Sequence, residues 1–154
     1  MKWICGEKAP IFYEWFEARM PELSAPFDRN RTGVLALLQD HKILCVVVFA
    51  DYSGHSVTLH IVAETGKQWM TRRFLFAVFD YAFRQLGVRR ITVPVVATNT
   101  QSLRFVKHLG WKEEGRLRRG SKDGSDIVVF GMLKEECRFL RMRDESKQTL
   151  AVAS

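Results

Sequence analysis

The chain has 154 residues, 47% of them hydrophobic and 27% charged, and carries a formal net charge of +7. That length builds one domain with a substantial core, and that composition excludes a disordered chain. No apolar run reaches the roughly 20 residues of a membrane helix, so no membrane partner is expected. The opening residues Met1-Lys2-Trp3-Ile4-Cys5-Gly6-Glu7 lack the apolar stretch of a secretory signal, which makes the expected location cytoplasmic. Three cysteines (Cys5, Cys45, Cys137) and four histidines (His41, His55, His60, His108) show no ligand spacing, so no metal is expected. The surplus positive charge asks for an anionic partner without naming it.

Taken in order, residues 10–20 predict a helix that starts at Pro10 and stops before Pro21, with Phe12, Trp15, Phe16 and Arg19 at helical spacing. Residues 21–30 read as a short helix or an irregular turn. Three β-rich runs follow, at 34–38, 43–49 and 55–63, separated by turn-forming residues, and predict an antiparallel meander. In the third run Val57, Leu59, Ile61 and Ala63 share one face, while Thr58, His60, Val62 and Glu64 share the other.

A loop, residues 64–73, leads into a strongly apolar helix expected over 74–86 and ended by Gly87. Leu75, Phe79, Phe83 and Leu86 form its stripe, widened by Phe74, Val78, Tyr81 and Ala82. Asp80 and Arg84 are spaced for an i,i+4 pair on its wet edge. Phe76 also falls on that edge, which points either to a covering segment or homodimer contact or to a stray exposed ring. A helix start presents open backbone N–H groups and partial positive charge, and Arg72 and Arg73 add two cations there. Cations at a helix N-terminus are unfavourable without an anion, so a phosphate-bearing ligand is the expected occupant.

Next comes a strand, residues 91–96, interrupted by Pro94. Proline cannot donate to a ladder, so the strand is expected to be unpaired on one side at that point. Asn99 is placed to cap a short helix carrying Leu103, Val106 and Leu109 inward to Gly110. Strands at 111–118 and 126–133 flank Lys122-Asp123-Gly124 as a hairpin, with Arg116, Arg118, Arg119 and Lys122 clustered beside the turn. A last helical piece is expected from 134 to about 142. One domain, 1–142, with a flexible tail, 143–154, completes the reading.

The run Tyr81-Ala82-Phe83-x-x-Leu86-Gly87-x-x-Arg90, then Asn99-x-x-Ser102, then Leu109-Gly110-Trp111-x-x-Glu114-Gly115 resembles the GCN5-related N-acetyltransferase superfamily, in particular its ribosomal-protein Nα-acetyltransferase branch. The resemblance covers roughly residues 57–136. The segments around Trp69-Met70-Thr71-Arg72-Arg73-Phe74 and Met132-Leu133-Lys134-Glu135-Glu136-Cys137 are similar in style to short acetyltransferase-like proteins of tailed phages. The resemblance implies an α/β domain whose mixed sheet combines an antiparallel meander with a splayed parallel pair, flanked by helices. It implies acetyl-CoA as cosubstrate, held by the loop before the apolar helix, with Val62, Trp69, Met70, Thr71, Arg72, Arg73, Phe74 and Asn99 as the expected contacts. One departure stands out. The family loop reads Arg/Gln-x-x-Gly-x-Gly/Ala, whereas here Gly66 is followed by Lys67-Gln68-Trp69, with a bulky residue in the second glycine's place.

Acetyl transfer to an amine requires that the amine be positioned, lose a proton, and that the departing thiolate gain one. Many family members supply the second proton from a tyrosine seven residues after the asparagine, where this chain has Val106. The branch resemblance instead points to Ser102, which reads equally well as a plain first-turn hydroxyl. His60 and Glu64 are the candidate bases, with bulk solvent as the third option. The expected activity is N-acetylation of a protein or small molecule amine. The rival is a non-catalytic, CoA-binding protein that acts on a partner, such as a phage protein on its host. A weaker third reading, nucleic-acid binding through the positive surface, predicts steeply salt-dependent affinity that CoA leaves unchanged.

Overall fold

The computed structural model describes residues 1–140 except 21, 22, 24 and 67. Its elements are β1 (Lys2–Cys5), α1 (Pro10–Ala18), β2 (Gly33–Gln39), β3 (Lys42–Ala50), β4 (Ser56–Ala63), α2 (Arg72–Asp80), a π-helical turn (Tyr81–Gln85), β5 (Arg90–Val96), α3 (Thr100–Leu109), β6 (Lys112–Leu117), β7 (Ile127–Leu133) and a 3-10 turn (Lys134–Glu136). The strands form one seven-stranded sheet in the order β1-β2-β3-β4-β5-β7-β6. The meander β2–β3–β4 is antiparallel as expected, and β4–β5 is the parallel pair. No helix among the described residues is long and apolar enough to cross a membrane.

Two apolar layers sandwich the sheet. On one side Phe74, Leu75, Val78, Phe79, Ala82 and Phe83 of the central helix pack with Val106 and Leu109 of α3 on Val57, Leu59, Ile91 and Val93. On the other side Phe12, Tyr13 and Phe16 of α1 cover Val34, Ala36, Val46 and Val48. Both faces of β3 are therefore buried, which is why its sequence is an unbroken apolar run rather than an alternation.

Several expectations need adjusting. The N-terminal residues form an edge strand paired with β2, with Ile4 opposite Leu37; a four-residue strand is too short to announce itself by alternation. In α1 the inward residues are Phe12, Tyr13 and Phe16, while Trp15 is half-buried and Arg19 exposed, its guanidinium 4.0 Å above the Trp15 ring. The described residues of 21–30 are irregular, with a turn at Arg29 and Asn30. The central helix begins at Arg72, and its last turn widens to the π form, closed by Leu86 N–H donating to the Tyr81 carbonyl at 2.8 Å. Asp80 and Arg84 pair at 3.6 Å, and Phe76 lies half-buried with Arg84 over its ring. The expected tail, 143–154, and the end of the final helical piece lie outside the described residues.

The decisive feature is how β4 and β5 part. They pair only over Ser56–Arg90, Val57–Ile91 and Thr58–Thr92, although both strands run on, to Ala63 and Val96. From there β4 follows β3 and β5 follows β7, and the sheet opens between them. Ala97 N–H donates to the Asp126 carbonyl at 2.8 Å, so alternation turns the backbone of Val95 and Val93 toward β7, and that of Pro94 and Val96 into the opening. Pro94 thus sits where a missing N–H costs no ladder bond.

Candidate active site

The opening between β4 and β5 lies at the carboxyl ends of a parallel pair, the place where open α/β sheets hold ligands. Its β4 wall can be read from the register. Glu64 N–H donates to the Leu44 carbonyl at 2.9 Å, so Glu64, Val62 and His60 spend their backbone groups on β3. Ile61 and Ala63 then turn theirs into the cleft, opposite Pro94 and Val96. Val62, the expected contact, faces the wrong way for a main-chain bond; its neighbours are the residues so placed. Unpaired amides and carbonyls on both walls suit an extended chain that carries its own amide groups.

Two helix N-termini close the same end of the cleft, because β4 runs through a loop into α2 and β5 through a turn into α3. Thr71 caps α2, its hydroxyl accepting from Phe74 N–H at 3.1 Å, while Thr71 N–H donates to the Trp69 carbonyl and Leu75 N–H to the Thr71 carbonyl. The Phe74 amide is therefore already bonded, and the open donors of the first turn are those of Arg72 and Arg73. Both arginine side chains are exposed, and neither has an ion pair among the described residues. This terminus holds two full charges and two open amides, a setting that suits a phosphate group.

The unusual loop resolves structurally. Gly66 adopts φ +98, open to a residue without a β-carbon. Trp69 turns inward, 9% exposed, with its ring edge-on to Phe105 of α3 at 4.9 Å, and Met70 packs half-buried against the same core. The bulk that follows Gly66 thus anchors the loop to α3. Lys2 Nζ holds the Gln68 carbonyl at 2.6 Å from the other direction.

At the second terminus, Asn99 caps α3 by accepting from Ser102 N–H at 3.1 Å. Ser102 is half-buried, and its hydroxyl has no partner among the described residues. Val106, where a tyrosine would stand in many family members, is 3% exposed and belongs to the core.

His60 and Glu64 share the face of β4 turned toward α1, as expected, but the structure does not bring them together. Four residues of strand span about 13 Å. His60 lies with its ring 5.3 Å from Phe27, and burial lowers its pKa below the ordinary histidine value, with Asp51 pulling weakly the other way. The imidazole is therefore neutral, and able to accept a proton, over most of the physiological range. Glu64 Oε1 meets Arg19 at 3.3 Å, so this carboxylate already has a cation. Phe27 and Phe105 went unremarked in the sequence, and Arg19, Ile61 and Ala63 entered there only through helical spacing and strand face, with no part in the site. Only Ile61 and Ala63 had a signal there, their alternation with Val62, and using it requires knowing which neighbour β4 pairs with.

A family model for the acetyltransferase (GNAT) domain matches residues 42–127, from β3 to the start of β7. The chain belongs to this family. A search of curated proteins finds no match. Among solved structures, a spermidine N-acetyltransferase variant from Vibrio cholerae superposes with a TM-score of 0.72 at 14% identity, covering 92% of this chain and 98% of that one. A chimera of the Vibrio cholerae enzyme with hSSAT gives 0.71 at 16%, covering 91% and 98%. A dodecameric form of the enzyme gives 0.68 at 15%, covering 86% and 94%. At these identities the likeness establishes the shared fold, an α/β acetyltransferase domain with a mixed seven-stranded sheet.

Proposed function

We propose that this protein is an acetyl-CoA-dependent N-acetyltransferase acting on a primary amine of a protein or small molecule. The observation that carries the reading is the parting of β4 from β5 beyond Thr58 and Thr92, with Pro94 in one wall and two capped helix termini at its end. Acetyl-CoA supplies an already activated thioester, so the chain's own residues have to position, bind and move protons. The amides and side chains of Arg72 and Arg73 take the phosphates, Trp69 and Met70 hold the loop, Thr71 shapes the terminus, and Ile61 and Ala63 offer main-chain bonds along the cleft. Asn99 orders the first turn of α3, which carries Ser102 as proton donor to the sulfur. His60, neutral by burial, is the favoured base, directly or through water; Glu64, paired with Arg19, is the second candidate.

Calorimetry with CoA and mass spectrometry of a lysate incubated with labelled acetyl-CoA test the reading together. Binding in the micromolar range and label on amines support it; absence of CoA binding overturns it. The buried Val106 favours one alternative, a CoA-binding protein without turnover that acts by engaging a partner, as a phage protein does its host. Binding without transfer to any amine selects that alternative.

A further inference from the structure

The β6–β7 hairpin brings a second charged surface to the mouth of the cleft. Register makes this unambiguous: Val96, the last residue of β5, is opposite Ile127, and Ile127 is opposite Leu117, the last residue of β6. The connection, residues 118–126, therefore projects from the same end of the sheet as the carboxyl ends of β4 and β5. It carries Arg118, Arg119 and Lys122, all exposed and without ion pairs among the described residues, and Arg116 at its base. An open groove of about 680 Å³ is lined by Arg116, Leu117, Arg118 and Arg119. Leu117, the one apolar residue of the four, is 54% exposed.

Internal bonds fix the backbone from which those cations project. Asp126 is its hub: one carboxylate oxygen accepts from Arg119 N–H at 2.9 Å, the other from Arg116 at 3.0 Å, and its carbonyl accepts from Ala97 at the end of β5. These bonds hold Arg119 at φ +55, a left-handed conformation that an arginine seldom adopts. Asp123 accepts from Ser125 N–H at 2.9 Å, and Ser121 N–H donates to the Ser125 carbonyl at 3.0 Å, closing the tip. Both acids are engaged inside the loop, which leaves the outward charge positive. A positive loop of fixed backbone beside an active-site mouth selects partners by charge without first having to order its main chain.

We infer that the acceptor is an acidic polypeptide segment, one that presents its amine with aspartate or glutamate close by, and that Arg118, Arg119 and Lys122 select it. The inference rests on the N-acetyltransferase reading and sharpens it. A polycation would meet like charge at this mouth. The exposed Leu117 among the cations suits a peptide, which offers carboxylates and apolar side chains together, better than a nucleic acid backbone.

Three peptides of equal length, with acidic, neutral and basic residues flanking one free amine, and spermidine as a polycation, are compared by thiol release. The same peptides, with the amine blocked, are titrated calorimetrically onto the CoA-saturated protein. The acidic peptide is expected to show kcat/KM at least about tenfold above the basic one, mainly through KM. The triple variant Arg118→Ser, Arg119→Asn, Lys122→Ser is expected to erase that ratio while CoA affinity stays within about twofold. Asn is chosen because it tolerates the left-handed backbone. Equal or inverted preference, tighter binding of a short RNA than of the acidic peptide, or lost CoA affinity in the variant overturns the inference. If no amine is acetylated the enzyme reading fails, and the binding titration alone then decides this one.

Discussion

Ser102→Ala separates chemistry from architecture unusually cleanly here. The Asn99 cap uses the backbone N–H of residue 102, at 3.1 Å, and not its hydroxyl, which has no partner among the described residues. Alanine therefore keeps the cap, loses no internal hydrogen bond, and gains about 0.5 kcal/mol of helix propensity. Thermal unfolding should stay level or rise slightly. If the hydroxyl protonates the departing sulfur, turnover falls about a hundredfold, which is about 2.7 kcal/mol on the barrier. CoA affinity should barely change, because Arg72 and Arg73 stand at the other helix terminus. Asn99→Ala provides the opposite control: it removes the cap and costs about 1 kcal/mol, lowering the melting temperature by about 2–4 °C for a chain of this size. Single-turnover thiol release and thermal melts on both variants give the four numbers needed. Ser102→Ala with turnover within about threefold of the parent refutes the proton-donor role, and a melt lowered as far as that of Asn99→Ala shows the hydroxyl to be structural.

Replacing Arg72 and Arg73 together by alanine should weaken CoA binding by about tenfold or more, since hydrogen bonds to charged groups are worth about 1.5–3 kcal/mol. The same change should raise apo stability slightly by removing cations from the positive end of α2, and calorimetry and melts check the two signs. His60 predicts a pH effect on stability: its folded pKa is lowered by burial, so between that value and the unfolded value of about 6.5 the unfolded chain binds more protons. Stability should therefore fall as pH drops through about 6.5, and His60→Gln should flatten that slope in denaturant titrations. If His60 is also the base, kcat/KM rises with pH through a midpoint below that of ordinary histidine, and a variant with an unchanged profile removes it from the mechanism.

Much of this protein was legible from local pattern. The meander, the stripe of α2, the Asn99 cap, the Gly110 stop and the hairpin all follow from periodicity and turn chemistry, which act between residues close in the chain. Pro94 announced a strand open on one side, as the parting of β4 from β5 shows. What local pattern does not carry is which strand lies beside which. The pairing of Glu64 with Leu44 decides that Ile61 and Ala63, not Val62, turn their backbone into the cleft. Contact between Trp69 and Phe105 decides that a bulky loop residue is an anchor. The register from Val96 through Ile127 to Leu117 decides that a basic hairpin 20 residues downstream stands at the mouth. His60 is half-buried against Phe27, and Glu64 already paired with Arg19, partners that are distant in sequence. Spacing along one chain encodes which face a side chain takes; its neighbours across the sheet, and hence its charge state and access to a ligand, arise only when separate segments pack.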